Sequence, residues 1–325
     1  MKLQILVPQY KEDETVIKPL LDSIALQQDI DFSEFMVIIC NDGSDVYLSQ
    51  EFIESYPFQI VYMSHVRNCG VSATRNTLMD VATADYIMFC DADDLFLNVF
   101  GLWTIFKAME EGFDLYVPPF TEETRDKNGK PYFVTHNKDG VFVHGKVYNL
   151  QWLKEEKIRW DEDLRVHEDS YFNLLCYNLA DKKVDGEMIY YCWKWRDESI
   201  CRSDSEYLLK TYDQMIESSS RLVAEFMRRA RHEEARYYAA FMLYDIYFLL
   251  NKEQWLDPAN KEHRDRVEKR FKRYYTEWRD LIEAIEEGHK RKIIREIRER
   301  MYKEGMYLEA MTFADWMRHI EYEVI

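Results

Sequence analysis

Three carboxylates fall within four residues at Asp91-Ala92-Asp93-Asp94, directly after the apolar run that ends at Phe89-Cys90. Like charges crowded at a strand end call for a counter-charge, and a hard divalent cation supplies one that can be shared with a diphosphate. In an extended segment Asp91 and Asp93 point to the same side. One aspartate would suffice as a helix cap before Leu95; three exceed that need. A second cluster, Asn41-Asp42-Gly43-Ser44-Asp45, contains a carboxylate at Asp42 that could accept from a base N–H or a ribose hydroxyl, though an ordinary Asp-Gly turn explains it too. Asn68-Cys69-Gly70-Val71-Ser72-Ala73-Thr74-Arg75-Asn76 runs from a loop into a helix whose free N–H groups can face an anion. Arg75 there serves a ligand, an aspartate partner, or both. His167-Glu168-Asp169-Ser170 opens another helix, where Asp169 could take a proton from a hydroxyl or simply cap the first turn. Tyr191, Trp193, Trp195, Arg196, Ser199 and Arg202 read either as an aromatic strand whose arginines close over a diphosphate, or as a core strand with a solvated loop.

These clusters need elements to hold them. Over the first 120 residues apolar runs alternate with helical patterns: strands at 3–7 (stopped by Pro8), 35–40, 60–63, 86–90 and 114–117, with helices at 16–28, 71–82 and 99–109. That alternation predicts an α/β fold with a mostly parallel sheet and helices on both faces. In such a sheet ligands bind at the carboxyl ends of the strands, which is where the polar clusters fall. The Lys127-Asn128-Gly129-Lys130 turn, followed by strand-like residues around 132–134 and 141–143, predicts a hairpin or edge ribbon. Short helices follow at 150–156 and 170–179, then a strand at 188–193. From Glu206 the pattern is helical, in four or five helices. The expected domains are therefore 1–205, catalytic, and 206–325, helical.

The chain has 325 residues and a net charge of -17, with 47% apolar residues and 15% aromatics, so it has material for a large core and is no low-complexity chain. The charge is uneven: residues 1–200 carry a net -16 and residues 201–325 a net -1. General affinity for nucleic acid or anionic membrane is not expected from such a balance. Six cysteines occur without a CxxC pair or zinc spacing. No apolar stretch is long enough to span a bilayer; Tyr237 to Leu250 is 14 residues and contains Asp245. The expectation is a cytoplasmic protein.

Taken in order, the clusters resemble family 2 of the GT-A glycosyltransferases. Val7-Pro8-Gln9-Tyr10 is similar to that family's VPxYN, Asn41-Asp42-Gly43-Ser44 to its DDGS, Asn68 to Asn76 to its NxGxSxARN, Asp91-Ala92-Asp93-Asp94 to its DxD, and Glu168-Asp169 to its ED motif. The impression is of a small bacterial or phage enzyme. The resemblance implies a GT-A fold and inverting transfer of a sugar from a nucleotide sugar, with UDP as the first guess. It implies that Asp42 reads the base, with Pro8, Tyr10 and Asn68 lining the pocket, and that Arg75 holds the donor side. Asp91 would contact ribose or metal, Asp93 would bind Mn2+ or Mg2+, and Asp169 would be the catalytic base. Arg196 or Arg202 would hold the diphosphate. Lys11 stands where the family has Asn, and Asn41 replaces the first Asp of DDGS. No QxxRW motif is present.

Two other classes fit less well. A nucleotidyltransferase would show a Gly-rich basic loop after the first strand, where Gln9-Tyr10-Lys11-Glu12-Asp13-Glu14 stands. A non-catalytic nucleotide-sugar-binding module would tolerate loss of a key carboxylate, and none is lost. The acceptor stays open among polysaccharide, teichoic acid, protein and modified DNA. Residues 261–303 carry a local net +5. Helix faces with i,i+4 ion pairs account for such runs; a hydroxymethylated base in phage DNA is the sharper alternative. The helical tail would recognise the acceptor or make a homo-oligomer.

Overall fold

The computed structural model describes residues 1–126, 128–196, 207–303 and 311–322. They belong to two compact units, Met1–Ser199 and Ile200–Ile325. The first unit runs β1 (Leu3–Gln9), α1 (Glu14–Ala25), β2 (Phe35–Asn41), α2 (Gln50–Glu54), β3 (Gln59–Ser64), α3 (Val71–Val81), β4 (Tyr86–Phe89), β5 (Leu95–Phe96), α4 (Gly101–Glu111), β6 (Leu115–Val117), β7 (Phe120–Arg125), β8 (Pro131–His136), β9 (Val147–Asn149), α5 (Leu150–Glu155), α6 (Glu168–Leu179), β10 (Lys183–Asp185) and β11 (Tyr191–Trp193). Seven strands form the main sheet in the order β10-β6-β9-β4-β1-β2-β3, and four form a smaller one, β5-β11-β7-β8. The neighbours β4, β1, β2 and β3 are mutually parallel, while β9 runs antiparallel between β4 and β6. This is the α/β, mostly parallel architecture expected from the alternation, followed by a helical region.

Strand β1 is apolar on both faces because both faces are covered: Leu3, Ile5, Leu6 and Val7 are fully buried. Helix α1 contributes Ile17, Leu20, Leu21 and Ile24, a stripe at helical spacing, and Asp13 caps it by accepting from the N–H groups of Thr15 (2.9 Å) and Val16 (3.1 Å). The strand does not stop at Pro8 but continues to Gln9. The Cys90 N–H donates to the Leu6 carbonyl, and the Asp42 N–H donates to the Gln9 carbonyl. Backbone groups alternate sides along a strand, so the missing N–H of Pro8 faces β4, at the point where β4 has ended. The proline closes that ladder and lets the chain after Cys90 leave the sheet.

The hairpin is also re-partnered. Strand β8 pairs with β7, Phe120 opposite His136, and not with residues 141–143. Its turn is set by Asp126, whose Oδ1 accepts from the N–H groups of Asn128 (2.8 Å) and Lys130 (2.9 Å). The run Phe-Thr-Glu-Glu-Thr-Arg hides its strand character because its acidic residues make ion pairs: Glu123 with Arg125 and Lys194, and Glu122 with His136.

The second unit is helical: α7 (Tyr207–Arg228), α8 (His232–Leu250), the single turn α9 (Glu253–Leu256), α10 (Lys261–Glu283), α11 (Glu287–Lys303) and α12 (Phe313–Tyr322). Helix α8 is its axis, buried at every position from Met242 to Leu250, with α7, α10 and α11 packed against it. Tyr244, Tyr247 and Phe248 are therefore core. Asp245 is buried there, held by the Tyr212 hydroxyl and the Arg300 guanidinium. The basic runs have partners: Arg264 with Glu268 and Arg279 with Glu283 (2.8 Å each), Arg266 with Asp213 (3.3 Å), Arg270 with Glu217, and Lys290 with Glu287 (3.3 Å). No helix among the described residues is long and apolar enough to cross a membrane.

Lys11, just past β1, has φ +71°, while its N–H reaches Ser44 Oγ at 3.3 Å. A left-handed residue with a long side chain costs about 1–2 kcal/mol, and Asn tolerates that conformation better. This gives a physical reason for the Asn of the family signature. Lys11→Asn is expected to stabilise the protein by roughly 0.5–1 kcal/mol, read as a higher urea midpoint at unchanged slope. A midpoint equal to or below that of the parent would refute the strain.

Candidate active site

Because β4, β1, β2 and β3 are parallel neighbours, their carboxyl ends form one rim. Pro8 and Tyr10 stand at the end of β1, Asp42 at the end of β2, Asn68 in the loop after β3 and Asp91 at the end of β4. Tyr10 is 42% exposed, with Lys11 Nζ 5.2 Å from its ring centre, and Asn68 is exposed. Asp42 is buried. Its Oδ1 accepts from the Cys69 N–H (2.8 Å) and contacts His65 Nδ1 (2.9 Å), and its Oδ2 accepts from the Gly70 N–H (2.8 Å). The carboxylate thus ties the β3–α3 loop to the end of β2. Gly43 makes the approach possible: its φ is +68°, and a Cβ would lie 2.2 Å from the Arg67 carbonyl carbon.

Arg75, on the first turns of α3, is the hub. Its Nη2 lies 3.0 Å from Asp91 Oδ1 and its Nη1 lies 3.1 Å from Glu168 Oε1, with its side chain only 5% exposed. Burial alone would lower its pKa, but Asp91, Glu168 and Asp169 outweigh that and raise it. The guanidinium stacks 4.4 Å over Trp160, which in turn lies flat on Phe172 at 4.1 Å. Asn76, one residue on, fixes Trp160 by bonding both its N–H (3.0 Å) and its carbonyl (2.9 Å). Arg75 thus joins β4 to the start of α6, and it satisfies ion pairs at both ends.

Helix α6 opens after His167, itself left-handed at φ +60°, so that Glu168 and Asp169 occupy its first turn. Burial, seconded by Asp169, pushes Glu168 up to about 7 against the pull of Arg75. Burial also raises Asp169, with Arg75 and the Ser170 N–H opposing. Immediately before β9, Lys146 is 1% exposed, with its Nζ donating to the Phe142 carbonyl and lying 3.9 Å from Asp139 Oδ1. Burial brings its pKa down to about 8, while Asp139 and Asp169 pull it up.

The acidic turn divides its labour. Asp91 and Asp93 are each 30% exposed, and Asp94 is fully buried. Arg196 Nη1 lies 3.1 Å from Glu12 Oε1 and 3.5 Å from Asp93 Oδ2. Burial raises the Asp93 pKa, Asp91 and Glu12 add to the rise, and Arg196 counters it. A raised carboxylate in a cluster short of positive charge suits an added cation, and the open oxygens of Asp91 and Asp93 are hard donors fit for Mn2+ or Mg2+. Ligand atoms of Asp91, Asp94 and His144 also lie within 4.8 Å of one another. Arg202 lies outside the described residues.

Residues 4–175 match the family model Glycosyl transferase family 2. The chain belongs to that family. It is 28% identical over 211 residues to the uncharacterized glycosyltransferase EpsJ of Bacillus subtilis, covering 58% of this chain and 60% of that protein. It is 26% identical over 211 residues to the poly(ribitol-phosphate) beta-glucosyltransferase of Bacillus spizizenii, covering 61% of this chain and 33% of that protein. The chain thus spans less than two thirds of the length of either relative. It shares the fold of Staphylococcus aureus TarS 1-349, crystallised in complex with UDP-GlcNAc, at TM-score 0.64 and 19% identity over 95% of this chain and 93% of that one.

The family 2 match runs from β1 into α6 and takes in every sequence-derived site residue except those of the cluster from Tyr191 to Arg202. Five site residues escaped the sequence reading. They are Glu12, His65, His144, Trp160 and Lys146, to none of which the sequence analysis assigns a role. Lys146 did carry a signal: it is the lone charge in the run Val-Phe-Val-His-Gly-Lys-Val-Tyr.

The Lys146 pKa makes a stability prediction. Between about 8 and 10.5 the unfolded chain holds the Lys146 proton and the folded one does not. Stability contributed by this group therefore rises with pH across that window, by up to about 3 kcal/mol. Lys146→Met removes the rise. Comparing urea midpoints of both proteins at pH 7.5 and 10 tests it, and parallel changes in the two would refute the shifted lysine.

Proposed function

We propose that the protein is an inverting, metal-dependent glycosyltransferase that moves a sugar from a nucleotide diphosphate sugar, a UDP-sugar first, to an acceptor hydroxyl. The observation that carries this reading is the buried Arg75, which couples the acidic turn on β4 to the paired carboxylates opening α6. A donor diphosphate and an acceptor hydroxyl need those two groups at a fixed separation.

In this reading Asp42, with Pro8, Tyr10 and Asn68, borders the nucleotide base. Asp42 shapes the pocket by holding the loop that carries Asn68. Asp91 meets ribose or metal, and Asp93 with Asp91 holds Mn2+ or Mg2+. When bound, that ion supplies positive charge to the departing diphosphate. Arg196, now between Glu12 and Asp93, is within reach to contribute to the same charge balance, and Arg202 is assigned a similar role. Glu168 is committed to Arg75, which leaves Asp169 as the carboxylate for the acceptor proton. The acceptor oxygen bonds to the anomeric carbon as the bond to the diphosphate breaks, and its proton passes to Asp169. Arg75 acts through the carboxylates it holds.

The catalytic domain is 1–205; the helical domain 206–325 would recognise the acceptor or mediate self-association. The names of the Bacillus spizizenii relative and of TarS, both poly(ribitol-phosphate) glycosyltransferases, support a polyol phosphate polymer as acceptor. The described ion pairs of α10 and α11 account for much of the local basic charge and lend no support to a modified-DNA acceptor.

A screen of UDP-, GDP- and dTDP-sugars for nucleotide release should find UDP-sugars preferred. Asp169→Asn should keep UDP binding and lose transfer by roughly 10^2- to 10^4-fold. Because Asp169 must be ionised and its pKa is raised, activity should fall on acidification above the ordinary aspartate range. Asp93→Ala should abolish cation-dependent turnover. Full activity in EDTA, or transfer by Asp169→Asn at the parent rate, would refute the assignments.

A further inference from the structure

Asp94 is the one carboxylate of the acidic turn without a role so far, and it is fully buried. A buried carboxylate persists only if its oxygens are satisfied. Asp94 Oδ1 accepts from the Lys194 N–H at 2.9 Å, and Oδ2 accepts from the Tyr191 hydroxyl at 2.7 Å. The same hydroxyl accepts from the Asp91 N–H at 3.2 Å. The Asp94 N–H closes the turn onto the Asp91 carbonyl at 3.2 Å. One phenol oxygen therefore grips both ends of the four-residue turn, from a strand paired on both sides: Tyr191 is fully buried in β11, opposite Phe96 of β5 and Phe120 of β7.

The grip has a second consequence. Lys194 leaves β11 with its N–H on Asp94, and two residues later Arg196 reaches Asp93 and Glu12. The small sheet thus sets the two exposed carboxylates and the arginine that faces them in one piece. A competing use of the same residues is visible. Asp91, Asp94 and His144 have ligand types and spacing fit for a cation. Yet each Asp94 oxygen already accepts a hydrogen bond, and His144, whose Nδ1 stands 3.5 Å from Asp94 Oδ2, is packed against the Trp193 ring at 4.8 Å and the Tyr191 ring at 5.7 Å.

We propose that Tyr191 and Asp94 form a buried clamp that positions Asp91 and Asp93 for the cation accompanying the donor diphosphate, with His144 a packing ring and Asp94 no ligand. The proposal rests on the metal-dependent reading above. Both are positioning residues, acting through the turn that carries Asp91 and Asp93.

The test is calorimetric titration of the full chain with UDP, in Mn2+ and in EDTA. The wild type should bind UDP more tightly in Mn2+. Tyr191→Phe deletes only the oxygen; it should keep UDP affinity in EDTA within about twofold and lose roughly 10- to 100-fold in the Mn2+-dependent part. Asp94→Asn should fall in the same direction and serves if Tyr191→Phe does not fold. His144→Phe keeps the ring and should retain the Mn2+ response. A merely structural role would lower the thermal midpoint and leave the Mn2+ response unchanged, which overturns the clamp. So would a tighter Mn2+ response in Tyr191→Phe, from a freed Asp94 oxygen, or its loss in His144→Phe. A wild type that ignores Mn2+ fails the metal reading itself and takes the clamp's purpose with it, an outcome distinguishable because it appears before any substitution.

Discussion

A guanidinium buried between two carboxylates is the constraint around which the α/β unit is arranged. Taking Arg75 out of water is costly, and only the simultaneous contacts to Asp91 and Glu168, with Asp169 nearby, offset that cost. Loss of one partner of such a pair typically costs about 3–5 kcal/mol, because a buried charge is left uncompensated. The arrangement is therefore close to all-or-none. Helix α3 must present Arg75, β4 must end where Asp91 meets it, and α6 must begin where Glu168 does. Trp160, stacked beneath and held by Asn76, removes the remaining freedom of the guanidinium plane.

The rest of the rim follows the same economy of fixed charge. Asp42 spends both oxygens on the backbone of the β3–α3 loop, and Asp94 spends both on β11 and its exit. Acidic side chains at strand ends thus divide into two kinds. The buried ones are saturated and hold backbone. Asp91 and Asp93 keep open oxygens and face a shortage of positive charge, which Arg196 only partly meets. The strong acidity of the first 200 residues is in part this concentration of carboxylates around few cations.

Much of this was legible in the sequence because local rules suffice for it. Apolar runs of four to seven residues, alternating with helical stripes, specify a covered parallel sheet, and a covered parallel sheet exposes its ligand rim at the carboxyl ends. Asp42, Arg75, Asp91, Asp93 and Asp169 stand out as candidates from residue type and from their place at strand ends or helix starts. Pro8 misled, since a strand can absorb a proline whose absent N–H faces a neighbour that has already ended. Glu12, His65, His144, Lys146 and Trp160 were missed for a different reason. Each gains its role from a partner that the local pattern does not indicate, as in the Glu12–Arg196 pair 184 positions apart, or from burial that its own neighbours in sequence do not signal.

Residue order alone, then, carries the class of fold and the family, and it brings forward a small set of candidate carboxylates, because those depend on periodicity and on motifs a few residues long. The chain fold decides which carboxylates are spent as structural anchors and which stay open, since hydrogen-bond saturation depends on what distant strands bring alongside. Asp93 and Asp94 are adjacent in sequence and chemically identical. Only the approach of Tyr191 and Lys194, about 100 residues later, makes one an anchor and leaves the other facing solvent.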